Sequence, residues 1–156
     1  MDWNHYRFVS VWDLDAPPEA VHRVLSDIDS YPLWWPEVRQ VNRIDDNSVQ
    51  IVVRSLLPYD LVFAANQSRP DPGGCVLETA MHGDLDGFSR WTLSARPAGT
   101  RAVFEEDVVA RKSLLRRLAV IARPLFRANH AVMMRHGREQ LGVYLAGYRA
   151  GALSAG

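Results

Sequence analysis

Three polar residues share the apolar side of a helical run near the C-terminus. At 100° per residue, Asn129, His136 and Gln140 fall within about 40° of the centre of a face that also carries Phe126 and Met133. Arg127, Arg135 and Arg138 fall elsewhere around the helix. Polar groups on a buried face need partners, and strand backbone, trapped water or a ligand can supply them. Each alone is most often a satisfied core residue. Together, beside Met133 and Phe126, they have the make-up of a pocket wall, which is mostly apolar with a few placed polar groups. Asn129, Met133 and His136 are therefore expected to line a cavity. A histidine there also suits proton transfer near neutral pH.

The strand-like segments offer further candidates. Alternation about Trp91 groups Ser89, Trp91 and Leu93 on one face. Alternation about Phe104 groups Ala102, Phe104, Glu106 and Val108, so Glu106 is a charge on an otherwise apolar face. Arg54 ends the run Ile51-Val52-Val53-Arg54 and is a candidate partner for Glu106 or for an anionic ligand. Surface placement at a strand end is the competing reading for Arg54 and Glu106 alike. The stretch Tyr31-Pro32-Leu33-Trp34-Trp35-Pro36 brackets large apolar side chains between prolines, and one of Trp34 or Trp35 is expected to reach the cavity. The ligand-binding set is Trp35, Arg54, Phe63, Trp91, Phe104, Glu106, Asn129, Met133 and His136.

Other chemistries lack their residues. Cys75 follows Pro72-Gly73-Gly74 with no nearby histidine to activate it. There is no Gly-x-Ser-x-Gly elbow, phosphate loop or dinucleotide fingerprint. His82-Gly83-Asp84-Leu85-Asp86 reads as hairpin-turn chemistry, and His130 and His136 point in different directions on one helix. Neither a catalytic residue, nor a metal site, nor a cofactor is assigned.

The elements that must position these groups follow from periodicity. Residues 5–14 read as a strand. Asp15-Ala16-Pro17-Pro18-Glu19 starts a helix carrying Val21, Val24, Leu25 and Ile28, and a short second helix precedes Pro36. Strands are expected near 38–44, 48–56, 59–68, 75–82, 85–95 and 101–110, separated by turn clusters. From Lys112 to about Ala146 the period is helical, and Pro124 should kink or divide that helix. The tail 150–156 is expected to fray. An antiparallel meander must bury one face, and the long C-terminal helix is its cover.

This order resembles the SRPBCC superfamily, the START-like helix-grip group. Two phrases carry the resemblance, Asp15-Ala16-Pro17-Pro18-Glu19-Ala20-Val21 and Ser26-Asp27-Ile28-Asp29-Ser30-Tyr31-Pro32-Leu33-Trp34-Trp35-Pro36. It covers about residues 5–146, and the bacterial polyketide cyclase/dehydrase branch is the most similar. The resemblance implies an α+β fold. A curved seven-stranded antiparallel sheet wraps around a long C-terminal helix, with two short helices after the first strand, as one domain over residues 1–149. It also implies a cavity between sheet and helix for a small hydrophobic or amphipathic molecule, such as a lipid, a quinone or a polyketide-like compound. A carrier or binding protein is the first expectation. An aromatase/cyclase-type enzyme is the alternative, with Glu106, His136 and Arg54 as its acid/base candidates, because fold alone does not set function. A regulatory module signalling through its basic helix is a third.

Composition bounds these readings. A chain of 156 residues is one domain's worth. One cysteine excludes an internal disulfide, no apolar stretch reaches the roughly 20 residues that span a bilayer, and the N-terminus does not read as a signal peptide, so a cytoplasmic location is expected. The 18 basic and 18 acidic residues are unevenly placed, with 17 acids and 9 bases up to Asp107 and one acid against nine bases after it. The basic segment is expected to complement the acidic remainder. Its start, Arg111, Lys112, Arg116 and Arg117, is also a candidate contact with an anionic membrane surface. Nucleic acid is not expected as a partner.

Overall fold

A computed structural model describes residues 3–54, 59–67, 73–117 and 119–154. Strand β1 (His5–Leu14) leads into helix α1 (Pro18–Ser26), a 3-10 turn (Ile28–Ser30) and helix α2 (Tyr31–Trp34). Six strands follow, β2 (Val38–Arg43), β3 (Ser48–Val53), β4 (Leu61–Gln67), β5 (Val76–Gly83), β6 (Leu85–Arg96) and β7 (Gly99–Ala110). Helices α3 (Ser113–Arg117) and α4 (Ala119–Ser154) end the described chain. The sheet order is β1-β7-β6-β5-β4-β3-β2, antiparallel throughout. The α1–α2 segment carries the chain from one sheet edge to the other, and the meander brings it back beside β1. This is the helix-grip architecture implied by the sequence.

Alternation decides which strand residues face the helix. Trp12 and Leu14 on β1, Phe63 and Ala65 on β4, Trp91 and Leu93 on β6, and Ala102, Phe104 and Val108 on β7 are all buried. The outer face is charged and paired across strands: Arg90 bridges Glu78 and Glu105, and Arg101 meets Asp13. Gly87 lies inside β6 at φ 149°, where a Cβ would fall 2.0 Å from the Asp107 carbonyl oxygen.

The corner after α1 is built by prolines and tyrosine. Pro32 sits in the first turn of α2, and Pro36 holds Trp35 extended. The buried Tyr31 hydroxyl donates to the Leu25 carbonyl at 2.6 Å. The helix therefore stops with Trp35 turned inward, and its indole N–H donates to the Met133 carbonyl of α4 at 3.0 Å.

Helix α4 departs from expectation in three ways. It is not divided at Pro124, which lies inside its second turn. Pro124 cannot donate to the carbonyl of Val120, but Val120 lies on the exposed side, where water can satisfy it. It continues past Ala146 to Ser154, through the Gly/Ala/Ser-rich segment expected to fray, because Ala and Leu are strong helix formers. Its buried positions are Ala122, Phe126, Asn129, Met134, Gly137, Leu141 and Leu145. Those positions step by just under four residues on average, longer than the 3.6 of a helical turn, so the buried stripe drifts around the helix as the curved sheet wraps it.

Gly137 is where α4 and the tryptophans meet. A Cβ there would lie 2.7 Å from Trp35 and 2.8 Å from Trp12. Gly137→Ala is expected to lower the free energy of unfolding by about 1–3 kcal/mol through overpacking. This holds although Ala gains about 1 kcal/mol over Gly in helix propensity. Denaturant unfolding checks it, and a stabilised variant would refute the contact.

Candidate functional site

Sheet, corner and α4 enclose a cavity of about 200 Å³. Its walls are mainly apolar. Leu61, Phe63 and Ala65 come from β4, Trp91 from β6, Phe104 from β7, Tyr31 and Trp35 from the corner, and Phe126 and Met133 from α4. The partly exposed lining residues His22, Ser26, Leu77 and Thr79 and the exposed Gln67 put the mouth between α1 and strands β4 and β5. Gln67 on β4 donates to the Ser26 carbonyl there at 2.7 Å.

One carboxylate–imidazole pair stands inside this apolar space. Glu106 projects from the inner face of β7, directly across the ladder from Ser89 of β6, and both line the cavity. The Glu106 side chain is 9% exposed, and one oxygen lies 3.1 Å from Nε2 of His130, whose side chain is 11% exposed. The imidazole is stacked 3.7 Å from Phe8 at 8° and lies 6.1 Å from Phe104. The two rings and the carboxylate fix its orientation. Asn129, the preceding residue on α4, adds a buried amide to the lining. The next residue on β7 has a different setting: Asp107, on the outer face, is held below the usual carboxylate range, chiefly by the hydrogen bond from His5, with Arg7 beside it. Burial pushes the Tyr31 phenol upward, so Tyr31 meets the cavity as a neutral group.

Seven of the nine residues singled out in sequence line the cavity: Trp35, Phe63, Trp91, Phe104, Glu106, Asn129 and Met133. Arg54 does not. Alternation turns Val53 inward and Arg54 outward, where it lies half-exposed 4.0 Å from Asp60. Arg54 therefore does not reach Glu106. His136 also lies outside the lining: its side chain is 43% exposed and bonds through Nδ1 to buried Glu37 at 2.5 Å. Gln140 is exposed. The drift of the buried stripe explains both, because it has moved off the face that a straight 100° projection extrapolates. Trp34 is buried in the corner behind Trp35, with the rings stacked at 5.3 Å. His130 is the residue that sequence reasoning missed. The four-residue ladder Ala122, Phe126, His130, Met134 was its signal.

Among the described residues, no three His, Cys, Asp or Glu side chains come together in a way that could hold a metal ion. Cys75 is exposed.

Comparison with known families agrees with this geometry. Residues 6–141 match the model described as polyketide cyclase / dehydrase and lipid transport. The chain belongs to that family. The family lies in the START-like SRPBCC superfamily and is one of small-hydrophobic-ligand binders. An aromatase/cyclase from Streptomyces sp. R1128 is similar in fold at TM-score 0.71 and 16% identity, over 91% of this chain and 93% of that one. A START superfamily protein from Mycobacterium smegmatis gives 0.68 at 16% identity, over 92% and 98%. A protein from Thermus thermophilus gives 0.65 at 16% identity, over 87% and 95%. No curated protein sequence matches closely enough to add a nearer relative. Among the described residues no helix is long and apolar enough to cross a membrane.

Proposed function

We propose that this family member binds and carries a small hydrophobic or amphipathic molecule, lipid-, quinone- or polyketide-like, between the sheet and α4. The cavity itself carries the proposal. It is sheltered and mostly apolar, with polar groups at its mouth and an inner set, Ser89, Glu106, Asn129 and His130, on β6, β7 and α4. Solvent extraction of the purified protein followed by mass spectrometry tests it. A co-purifying apolar molecule is expected, in stoichiometric yield. An empty protein that also fails to take up apolar probes would overturn it.

The enzyme alternative, an aromatase/cyclase acting on a polyketide-like substrate, draws on one observation. Glu106 and His130 form an acid/base pair at the cavity wall. Arg54 and His136 lie outside the cavity and give that reading no support. Turnover of a poly-ketone substrate that disappears in Glu106→Gln would favour it.

An anionic membrane is the proposed source of the ligand. Val120, Ile121 and Leu125 of α4 are exposed, and Arg116, Arg117 and Arg127 lie around them in the chain. Arg111 and Lys112 are instead engaged with the acidic body, through Asp86 at 2.9 Å and Asp84 at 3.5 Å. Co-sedimentation with phosphatidylserine vesicles is expected at low salt and should fall in Val120→Asp/Ile121→Asp. Absence of binding at low salt would remove the membrane.

A further inference from the structure

The polar end of the cavity is narrowly defined. An ionised carboxylate offers about four acceptor positions and no donor. The imidazole of His130 occupies one side of Glu106. Ser89 faces it across the ladder and Asn129 lines the same cavity, while the rest of the surroundings, Phe8, Phe104, Phe126 and Trp91, is apolar or aromatic. A carboxylate so placed costs free energy unless its remaining positions are filled. Water entering from the mouth can fill them. An apolar ligand that displaces this water must either supply a donor or leave the carboxylate short of one.

We propose that the Glu106–His130 pair is the recognition point of the cavity and selects an apolar molecule ending in a hydroxyl, an alcohol or a phenol, whose O–H donates to Glu106. This specificity rests on the ligand-binding reading above and goes beyond it. Charge and desolvation exclude the alternatives. A ligand carboxylate would meet Glu106 as a like charge in a poorly hydrated space. An ammonium would have to shed its water into walls made of Trp91, Phe104 and Met133, although the imidazole already sits on one carboxylate oxygen. A neutral hydroxyl carries the smallest desolvation cost and meets the acceptor directly. His130 is a positioning residue in this scheme: stacked on Phe8, it holds the carboxylate at the wall.

The test uses two probes of one shape, 2-naphthol and 2-methylnaphthalene, with 2-naphthoate as the anionic control. Tryptophan emission reports binding, since Trp35 and Trp91 line the cavity. Wild-type protein is expected to bind 2-naphthol about tenfold to a hundredfold more tightly than 2-methylnaphthalene, the range for a hydrogen bond to a charged group. It is expected to bind 2-naphthoate weakest. Glu106→Gln should bring the first two toward parity. The imidazole NMR signals of His130 should move with 2-naphthol and not with 2-methylnaphthalene. Equal wild-type affinities for these two overturn the hydroxyl assignment and leave the apolar cavity standing. Binding of none of the three overturns the cavity reading and the assignment with it. A Glu106→Gln protein that keeps the wild-type preference also overturns the assignment. The wild-type ratio needs no variant, so the assignment stays falsifiable if Glu106→Gln fails to fold.

Discussion

Trp12→Ala is expected to lower the free energy of unfolding by about 3–5 kcal/mol, the range for truncating a buried Trp or Phe. Trp12 is 2% exposed and among the largest fully buried side chains. Its indole meets Trp91 edge-on at 4.7 Å and Trp35 at 5.5 Å, and it lies against Gly137. It thus joins strand β1, strand β6, the corner and the long helix at one point. Such aromatic pairs add about 0.5–1.5 kcal/mol beyond the area they bury. The neighbours cannot refill the hole by a small shift, because they belong to three separate elements. Denaturant unfolding measures the loss, and a change below about 1 kcal/mol would mean that the indole is not part of the core. The cost of Gly137→Ala should shrink in the Trp12→Ala background, since one of the indoles that the new methyl strikes is gone. Additivity of the two would show that they do not touch.

Ala65→Trp is expected to abolish ligand binding while leaving the fold intact. Ala65 is 1% exposed on the inner face of β4, opposite Met81 of β5, and lines the cavity. Enlarging a core residue normally costs about 1–3 kcal/mol because there is no room for it. Here the new indole enters a space of about 200 Å³ and fills most of it. The unfolding midpoint should stay near that of the wild type, and affinity for 2-naphthol should fall by more than about tenfold. An unchanged affinity would place the ligand elsewhere on the molecule. The same substitution separates the two functional readings from the membrane proposal. Ligand binding or turnover requires the cavity, whereas vesicle binding through Val120, Ile121 and Leu125 does not.

The two ends of the charge distribution also meet in a way that bears on partners. Arg111 and Lys112 are drawn to Asp86 and Asp84 beside the β5–β6 turn, and Arg123 donates to the Trp3 and His5 carbonyls while lying over the Tyr6 ring. Part of the basic segment therefore closes the domain on itself, as a neutral sum of two opposite halves suggests. Arg116, Arg117 and Arg127 are left facing solvent beside apolar neighbours.

Local patterning was enough to find the elements. Apolar and β-branched runs between turn clusters marked the seven strands, and two-residue alternation assigned the faces of β6 and β7, because a half-buried strand must switch sides at every residue. The prolines at 17, 18, 32 and 36 marked the α1–α2 corner, because proline constrains its own backbone and that of the residue before it. The strand residues of the site were legible for the same reason: Glu106 shares the parity of Phe104, and Trp91 that of Leu93. Arg54 has the opposite parity to Val53 and Ile51, and alternation turns it outward.

The residues of α4 were harder to read. A helical projection assumes a straight axis and a flat partner, so its error grows with distance from the reference residue. Near Leu125 it placed Asn129 and Met133 correctly at the cavity. Farther along it chose His136 and Gln140, which the curved sheet leaves behind, and it passed over His130, which the sheet grips between Phe8 and Glu106. By itself the sequence determined the order of elements, the buried faces of β6 and β7 and the presence of a lone carboxylate among apolar side chains. Only the tertiary structure decided which histidine that carboxylate meets, because the pairing depends on how a twisted sheet turns around a long helix, and no local pattern encodes that angle.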